Sequence, residues 1–291
     1  MQGSNVSILR IFPGDFGTSA VSLTPESLPF PSDQTDQLEE DLGLTQLRAE
    51  HQREFEKRLT ETENDKRRAE EINRNLTQPT LLTEGASDVL ILNEAWDRLR
   101  HSQPKTFKIE SCNTTPQQNQ SSAGVGILTK ALQSHRPSSP VVVGMYDRDS
   151  EGLKEYSKLG GNFTKHIKYD AMYHTNGRSA AFLIPIPPDR QEYANAENLK
   201  LEFLFNDEYL TKEVDDRGLK LLPKIICRRI EGGPTLFPEP APEPQYRNIE
   251  GDKMYFAEKI VPTLPGEAFF RFSAIFDLFE SILNNITEKQ D

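Results

Sequence analysis

Two stretches of this chain place acidic side chains where apolar segments end. Leu81-Leu82-Thr83-Glu84-Gly85-Ala86-Ser87-Asp88 runs from a short apolar strand pattern into a carboxylate, a glycine and then a helical pattern. Val141-Val142-Val143-Gly144-Met145-Tyr146-Asp147-Arg148-Asp149-Ser150-Glu151-Gly152 is a longer apolar run closed by Asp-x-Asp. In a parallel sheet, ligands gather beyond the carboxyl ends of the strands, so both groups are expected on one rim. Asp147 and Asp149 are two apart, which in extended backbone points both side chains the same way. Asp88 comes four residues after Glu84, across the strand-to-helix turn, where it can lean back over the site. Carboxylates converging like this, with no matching Lys or Arg, repel one another unless a cation sits among them. Oxygen donors of this hard type select Mg²⁺ or Mn²⁺. Each piece alone has an ordinary reading, since Glu-Gly before a helix is turn chemistry and Asp-x-Asp occurs in caps. The specificity comes from finding both, in order, each closing an apolar strand.

The elements around these residues alternate. Strands are predicted at Thr80 to Thr83, Phe107 to Cys112, Val141 to Tyr146, Phe163 to Tyr169 and Ala180 to Ile186. Helices are predicted at Ala86 to Ser102, Gly126 to Ser134 and Glu151 to Leu159, and a polar helix around Ala196 to Phe205. Strands separated by helices of these lengths imply an α/β fold, with a Rossmann-like, mostly parallel sheet covered on both faces. Two helical patterns close the chain, Lys253 to Ile260 and Glu267 to Ile286. The phenylalanines of the second (Phe269, Phe270, Phe272, Phe276 and Phe279) read as a core stripe rather than a base-stacking platform.

Residues 1–40 are rich in Ser, Pro, Thr and Asp and read as an irregular arm with at most one strand. From 41 to 78 there is no proline, and Glu, Arg, Lys and Gln dominate, which predicts a long polar helix. Its apolar seam is sparse: Leu44, Leu47, Phe55, Leu59, Ile72 and Leu76. Such a seam suits docking to a partner or formation of a homodimer, and lacks the regularity of a coiled coil. Residues 79–291 form the remaining domain, interrupted by a proline-rich loop at 232–246.

The order Glu-Gly-x-x-Asp, then Asp-x-Asp-x-Glu-Gly, resembles the TOPRIM domain, most closely in its OLD-family nuclease version. The resemblance is strongest from Pro79 to Leu159. It continues through Leu201-Glu202-Phe203-Leu204-Phe205, similar to the family's acidic helix, and Gly251-Asp252-Lys253-Met254, similar to its late lysine segment. It implies a metal-dependent endonuclease. Glu84, Asp147 and Asp149 would hold one metal. Asp88 and Glu151 would serve a second, with Ser150 nearby, and Lys253 would stabilise charge at the scissile phosphate. Glu202 or Glu197 would add a further carboxylate. The family's usual ATPase is missing, because no Gly-x-x-x-x-Gly-Lys-Ser/Thr occurs. A separate ABC-type ATPase chain is therefore the implied partner, in an arrangement similar to two-gene anti-phage systems.

Composition limits these readings without removing them. The 34 basic and 45 acidic residues leave a net charge of -11, unlike a passive nucleic-acid coat. A nuclease whose carboxylates are neutralised by metal escapes part of that objection. The densest basic stretch, Lys220, Lys224, Arg228 and Arg229, with Lys165 and Lys168 in support, is the expected contact to DNA or RNA backbone, and the pattern does not distinguish the two substrates. No apolar run approaches the ~20 residues needed to span a bilayer. The N-terminus lacks the basic and apolar regions of a signal peptide, so a cytoplasmic protein away from membranes is expected. Cys112 and Cys227 are too few for a disulfide scaffold. Two other readings stand beside the nuclease: a TOPRIM-like regulatory or assembly protein without catalysis, and a phosphatase of the haloacid dehalogenase type with Asp147 as nucleophile.

Overall fold

The computed structural model describes residues 8–14, 17–23, 44–113, 122–166, 171–223, 225–226, 239–240, 245 and 247–288. It divides into two units, one through Thr62 and one from Glu63. In the first, β1 (Ile8–Gly14) and β2 (Gly17–Leu23) pair antiparallel, with Ile8 opposite Leu23 and Gly14 opposite Gly17. This corrects the expectation of an irregular arm. Ser, Thr and Pro suggested disorder by composition, but β-branched and apolar residues recur through both segments and Gly14 and Gly17 close the ladder.

Helix α1 (Leu44–Asn75) begins in this unit, where Phe55 and Leu59 are 63% and 51% exposed. Past Glu63 its seam becomes core. Ala69 and Leu76 are buried, Ile72 packs beside them, and Asn73 donates to the Ala131 carbonyl at 2.8 Å. Lys130 pairs with Asp65 at 2.8 Å on the same flank.

The second unit is α/β. In chain order it has β3 (Thr80–Thr83), α2 (Ala86–Leu99), β4 (Lys108–Ser111), α3 (Ser122–Gln133), β5 (Val142–Tyr146), β6 (Arg148–Asp149) and α4 (Ser150–Ser157). Then come β7 (Phe163–His166), β8 (Ala171–His174), β9 (Ser179–Leu183) and β10 (Asn198–Leu199). After these follow β11 (Lys220–Pro223), β12 (Ile225–Ile226), β13 (Glu239–Pro240), β14 (Arg247–Glu250) and the final helix α5 (Ser273–Glu288). Six strands form one sheet in the order β4-β3-β5-β9-β8-β7. The first four run parallel, and β8 and β7 continue as an antiparallel meander.

Alternation along the strands builds a core on each face. Leu81, Val143 and Phe182 meet Trp96 of α2 and Phe276 of α5 on one side. Leu82, Val142 and Tyr146 meet Leu128 and Leu132 of α3 on the other. Gly144 lets α3 pack closely here, since a Cβ would lie 2.5 Å from Leu132 Cδ1 and push that side chain aside. The phenylalanine stripe is core, as expected, except for Phe270, which is exposed.

One other expectation is corrected, and the two closing helical patterns are found with mixed helical geometry. The polar helix at 196–205 is absent; β10 lies between 3₁₀ turns at Gln191–Asn195 and Leu201–Leu204. The segment before α5 is an irregular helical run over 253–263, including a π turn at Phe256–Ile260, and then a 3₁₀ stretch at Gly266–Phe272. Most of the proline-rich stretch 232–246 lies outside the described residues. Among the described residues no helix is long and apolar enough to cross a membrane. Cys112 is buried and free, and Cys227 lies outside the described residues.

Trp96 stacks edge-on against Phe107 and Phe276, at 4.8 and 5.2 Å between ring centroids. Phe276→Ala should therefore lower unfolding free energy by about 3–5 kcal/mol, read from urea denaturation.

Candidate acidic site

Strand β3 ends at Thr83, and Glu84 and Gly85 bridge to α2. Asp88, in the first turn of that helix, accepts a hydrogen bond from Gly85 N at 2.9 Å, which fixes its carboxylate over the strand end. Gly124 of α3 lies so close to Glu84 that a Cβ there would sit 2.7 Å from the Glu84 carbonyl oxygen. On the neighbouring strand, Asp147 follows β5 directly. Asp149 then caps α4, accepting from Gly152 N at 2.8 Å. A Cβ at Gly152 would be 2.2 Å from the Asp147 carbonyl oxygen, so only glycine lets α4 start this near the strand. The Asp-x-Asp-x-Glu-Gly pattern thus has a local reason at each end: one carboxylate at the strand terminus, one capping the helix, and a glycine permitting the approach. Ser150 is exposed at the start of α4, and Glu151 is partly exposed beside it.

The third contribution comes from far along the chain. Strands β6 and β10 pair antiparallel, with Asp149 opposite Asn198 and Arg148 opposite Leu199. This pairing delivers the 3₁₀ turn Leu201–Leu204 to the rim, where Leu201 N donates to Asp147 Oδ1 at 3.2 Å. Glu202 is 1% exposed. Lys253 Nζ lies 2.7 Å from Glu202 Oε1 as an ion pair. Among the described residues no other side chain donates to the buried Glu202 carboxylate. Two guanidinium groups hold the far end of this turn: Arg271 donates to the Leu204 carbonyl at 2.9 Å, and Arg190 to the Phe205 carbonyl at 3.0 Å. Asp189 in turn holds Arg271, at 2.7 Å from Nη2.

The electrostatics are those of crowded like charge. Burial, then Asp88, Asp149 and Glu151, push the Glu84 carboxyl up to about 8. Burial and Glu202 push Asp88 up to about 6. Asp147 is held well above the usual carboxylate range by burial and by Asp88 and Glu202. Burial would raise Glu202 as well, but the Lys253 ammonium outweighs it and the carboxyl ends below its ordinary value. Burial likewise opposes charge on Lys253, yet Glu202, Asp147 and Asp88 hold its pKa above that of an ordinary lysine. Glu151 is raised by burial and by Asp149.

Among the described residues no three acidic, histidine or cysteine side chains stand close enough to hold a metal ion in this arrangement. The donor chemistry nevertheless fits a hard divalent cation. Glu84, Asp88, Asp147 and Glu202 offer oxygen alone, the Glu202 carboxylate is buried, and among the described residues its ion-pair partner is the partly exposed Lys253 ammonium.

Other candidates lie elsewhere. Glu197 is exposed, in a left-handed conformation at φ 46°, and does not share a helix with Glu202. Lys220 is exposed at the start of β11, opposite Glu250. Lys165 is exposed on β7, whereas Lys168, Lys224, Arg228 and Arg229 lie outside the described residues. One residue was missed by the sequence analysis. Lys200 Nζ is 3.7 Å from Asp149 Oδ2, placed by the β6–β10 pairing, which no local pattern announces. Comparison with family models, with curated proteins and with solved structures finds no match for this chain.

A carboxyl raised on folding stabilises the fold below its unfolded pKa and loses that contribution as pH rises through the folded value. For Glu84 the window runs from 4.5 to about 8. In EDTA the wild type should lose stability across that window relative to Glu84→Gln, measured as the difference between their thermal midpoints at each pH. Parallel profiles for the two proteins would contradict this assignment.

Proposed function

We propose that the chain is a divalent-metal-dependent nuclease with a TOPRIM-type acidic site, cleaving phosphodiester bonds in nucleic acid. One observation carries the reading: Glu84, Asp88, Asp147 and Glu202 crowd around Lys253 at the carboxyl ends of adjacent parallel strands. In this reading Glu84, Asp147 and Asp149 hold one Mg²⁺ or Mn²⁺, and Asp88 and Glu151 serve a second, with Glu202 and Ser150 at its margin. The bound cations supply charge neutralisation and polarisation of phosphate and water oxygen.

The chain's own groups divide the remaining work. Glu84 and Asp88 give up protons when the site is filled, because their pKa values lie near or above neutrality without it. Lys253 stays protonated throughout, which makes it a fixed positive charge at the scissile phosphate rather than a general base. Glu202 keeps that ammonium pointed into the site. A place in anti-phage defence, in the cytoplasm and under a separate ABC-type ATPase, belongs to the same proposal. The exposed Phe55 and Leu59 of α1 are where docking or self-association would occur.

The test is cleavage of plasmid DNA, single-stranded DNA and tRNA in Mg²⁺ or Mn²⁺, beside hydrolysis of p-nitrophenyl phosphate. Wild type should cut at least one nucleic acid and leave the monoester intact. Glu84→Ala and Asp147→Asn should abolish cutting, and Lys253→Ala should lower turnover about 100- to 1000-fold. Full activity of Glu84→Ala, with a phosphoenzyme trapped on Asp147, would replace the nuclease with an aspartyl-phosphate phosphatase.

A further inference from the structure

The acidic rim holds a second ammonium. Lys200 follows β10, and the pairing of Asn198 with Asp149 sets its backbone beside the outer carboxylates. Its side chain is 31% exposed, and among the described residues Asp149 is its only ion-pair partner within 4 Å, at 3.7 Å. Asp149 uses its other oxygen to cap α4. The Lys200 charge also lowers the carboxyls of Glu151 and Glu202, and exposed Lys154, one turn along α4 from Glu151, acts on Glu151 as well. Three lysines therefore border the acidic rim: Lys253 on Glu202, Lys200 on Asp149 and exposed Lys154 beside Glu151.

We infer that Lys200 is a substrate anchor, binding a backbone phosphate of the nucleic acid next to the one that is cleaved, with Lys154 the following contact toward solvent. This rests on the nuclease reading and names how that site takes hold of its substrate. An ion pair this open and this long adds little to stability, so the Lys200 ammonium is not needed to hold the β6–β10 pairing in place. Asp149 is the carboxylate proposed to turn toward a cation. When it does, Lys200 loses its counter-ion beside a gain of positive charge, and a phosphate oxygen is the anion that replaces it. The pair thus occupies Lys200 in the empty site and frees it as the site fills. The compact, freely rotating ammonium of lysine suits a phosphate contact without sequence preference. With a net charge of -11 the chain as a whole repels nucleic acid, so phosphate contacts must come from local lysines at the rim.

The experiment uses the full chain and short fluorescein-labelled single-stranded DNA and RNA. Binding is read by anisotropy across a KCl series in Ca²⁺, and cleavage is followed separately in Mn²⁺. Lys200→Met should weaken binding several-fold, flatten the slope of log affinity against log salt by about 0.7, and raise KM more than it lowers kcat. Lys200→Arg should restore the slope. Lys108→Met should leave it unchanged, because Lys108 begins β4 on the opposite rim of the sheet. If wild type binds and cuts while Lys200→Met keeps its affinity and slope on both probes, the anchor is wrong and the nuclease stands. If wild type neither binds nor cuts either probe, the nuclease reading fails and the anchor falls with it.

Discussion

Four carboxylates crowd one sheet rim around the Lys253 ammonium, and most of the architecture near them answers to that crowding. Coulomb repulsion grows as water is excluded, so recessed carboxylates can remain close only when protonated or matched by positive charge. Lys253 provides that match, 2.7 Å from a Glu202 carboxylate that is otherwise without a partner. Removing Lys253 would leave the buried Glu202 carboxylate uncompensated, which costs far more than the pair itself contributes. Burial first, and neighbouring carboxylates second, raise Glu84 and Asp88 despite the Lys253 charge.

The surrounding fold holds this arrangement against its own repulsion. Parallel pairing of β3 with β5 brings Glu84 and Asp147 to adjacent strand ends. Glycines at 124 and 152 let α3 and α4 approach the backbone at those ends. The Glu202 turn carries no long helix to steady it and is held instead by Arg271 and Arg190 on its last carbonyls, where positive charge suits the end of a helical turn. Asp189 fixes Arg271 from the other side. The same segment carries Lys200, so one short antiparallel pairing between β6 and β10 sets both the buried carboxylate and the rim lysine.

The part of this legible in the sequence was the part encoded locally. Thr80 to Thr83 and Val141 to Tyr146 announce themselves as apolar runs, and the residues closing them declare the acidic groups. The phenylalanine stripe at 269–279 likewise carries its own burial in its spacing. Glu202 was noticed through the family resemblance, but its neighbourhood was read as a helix because Ala, Glu, Leu and Lys favour one; pairing between distant segments overrode that propensity. Lys200 had no local signature at all, since its place is set by a two-residue bridge to β6. Strand β8 was missed because Ala171–His174 lacks the long apolar run of a parallel strand and stands near the antiparallel edge. The polar composition of α1 concealed the fact that its last turns join the core through Ala69 and Ile72, with Leu76 following just past the helix end.

The central claim is that the crowded carboxylates form a cation site, and proton-linked metal binding tests it most directly. Calorimetric titration of the full chain with Mn²⁺ near pH 7, in buffers of different ionisation enthalpy, measures both binding and the protons released. Glu84 must ionise to become a ligand, so binding is expected with net proton release, and with less release for Glu84→Gln. No binding, or binding whose heat is the same in every buffer, would contradict the account.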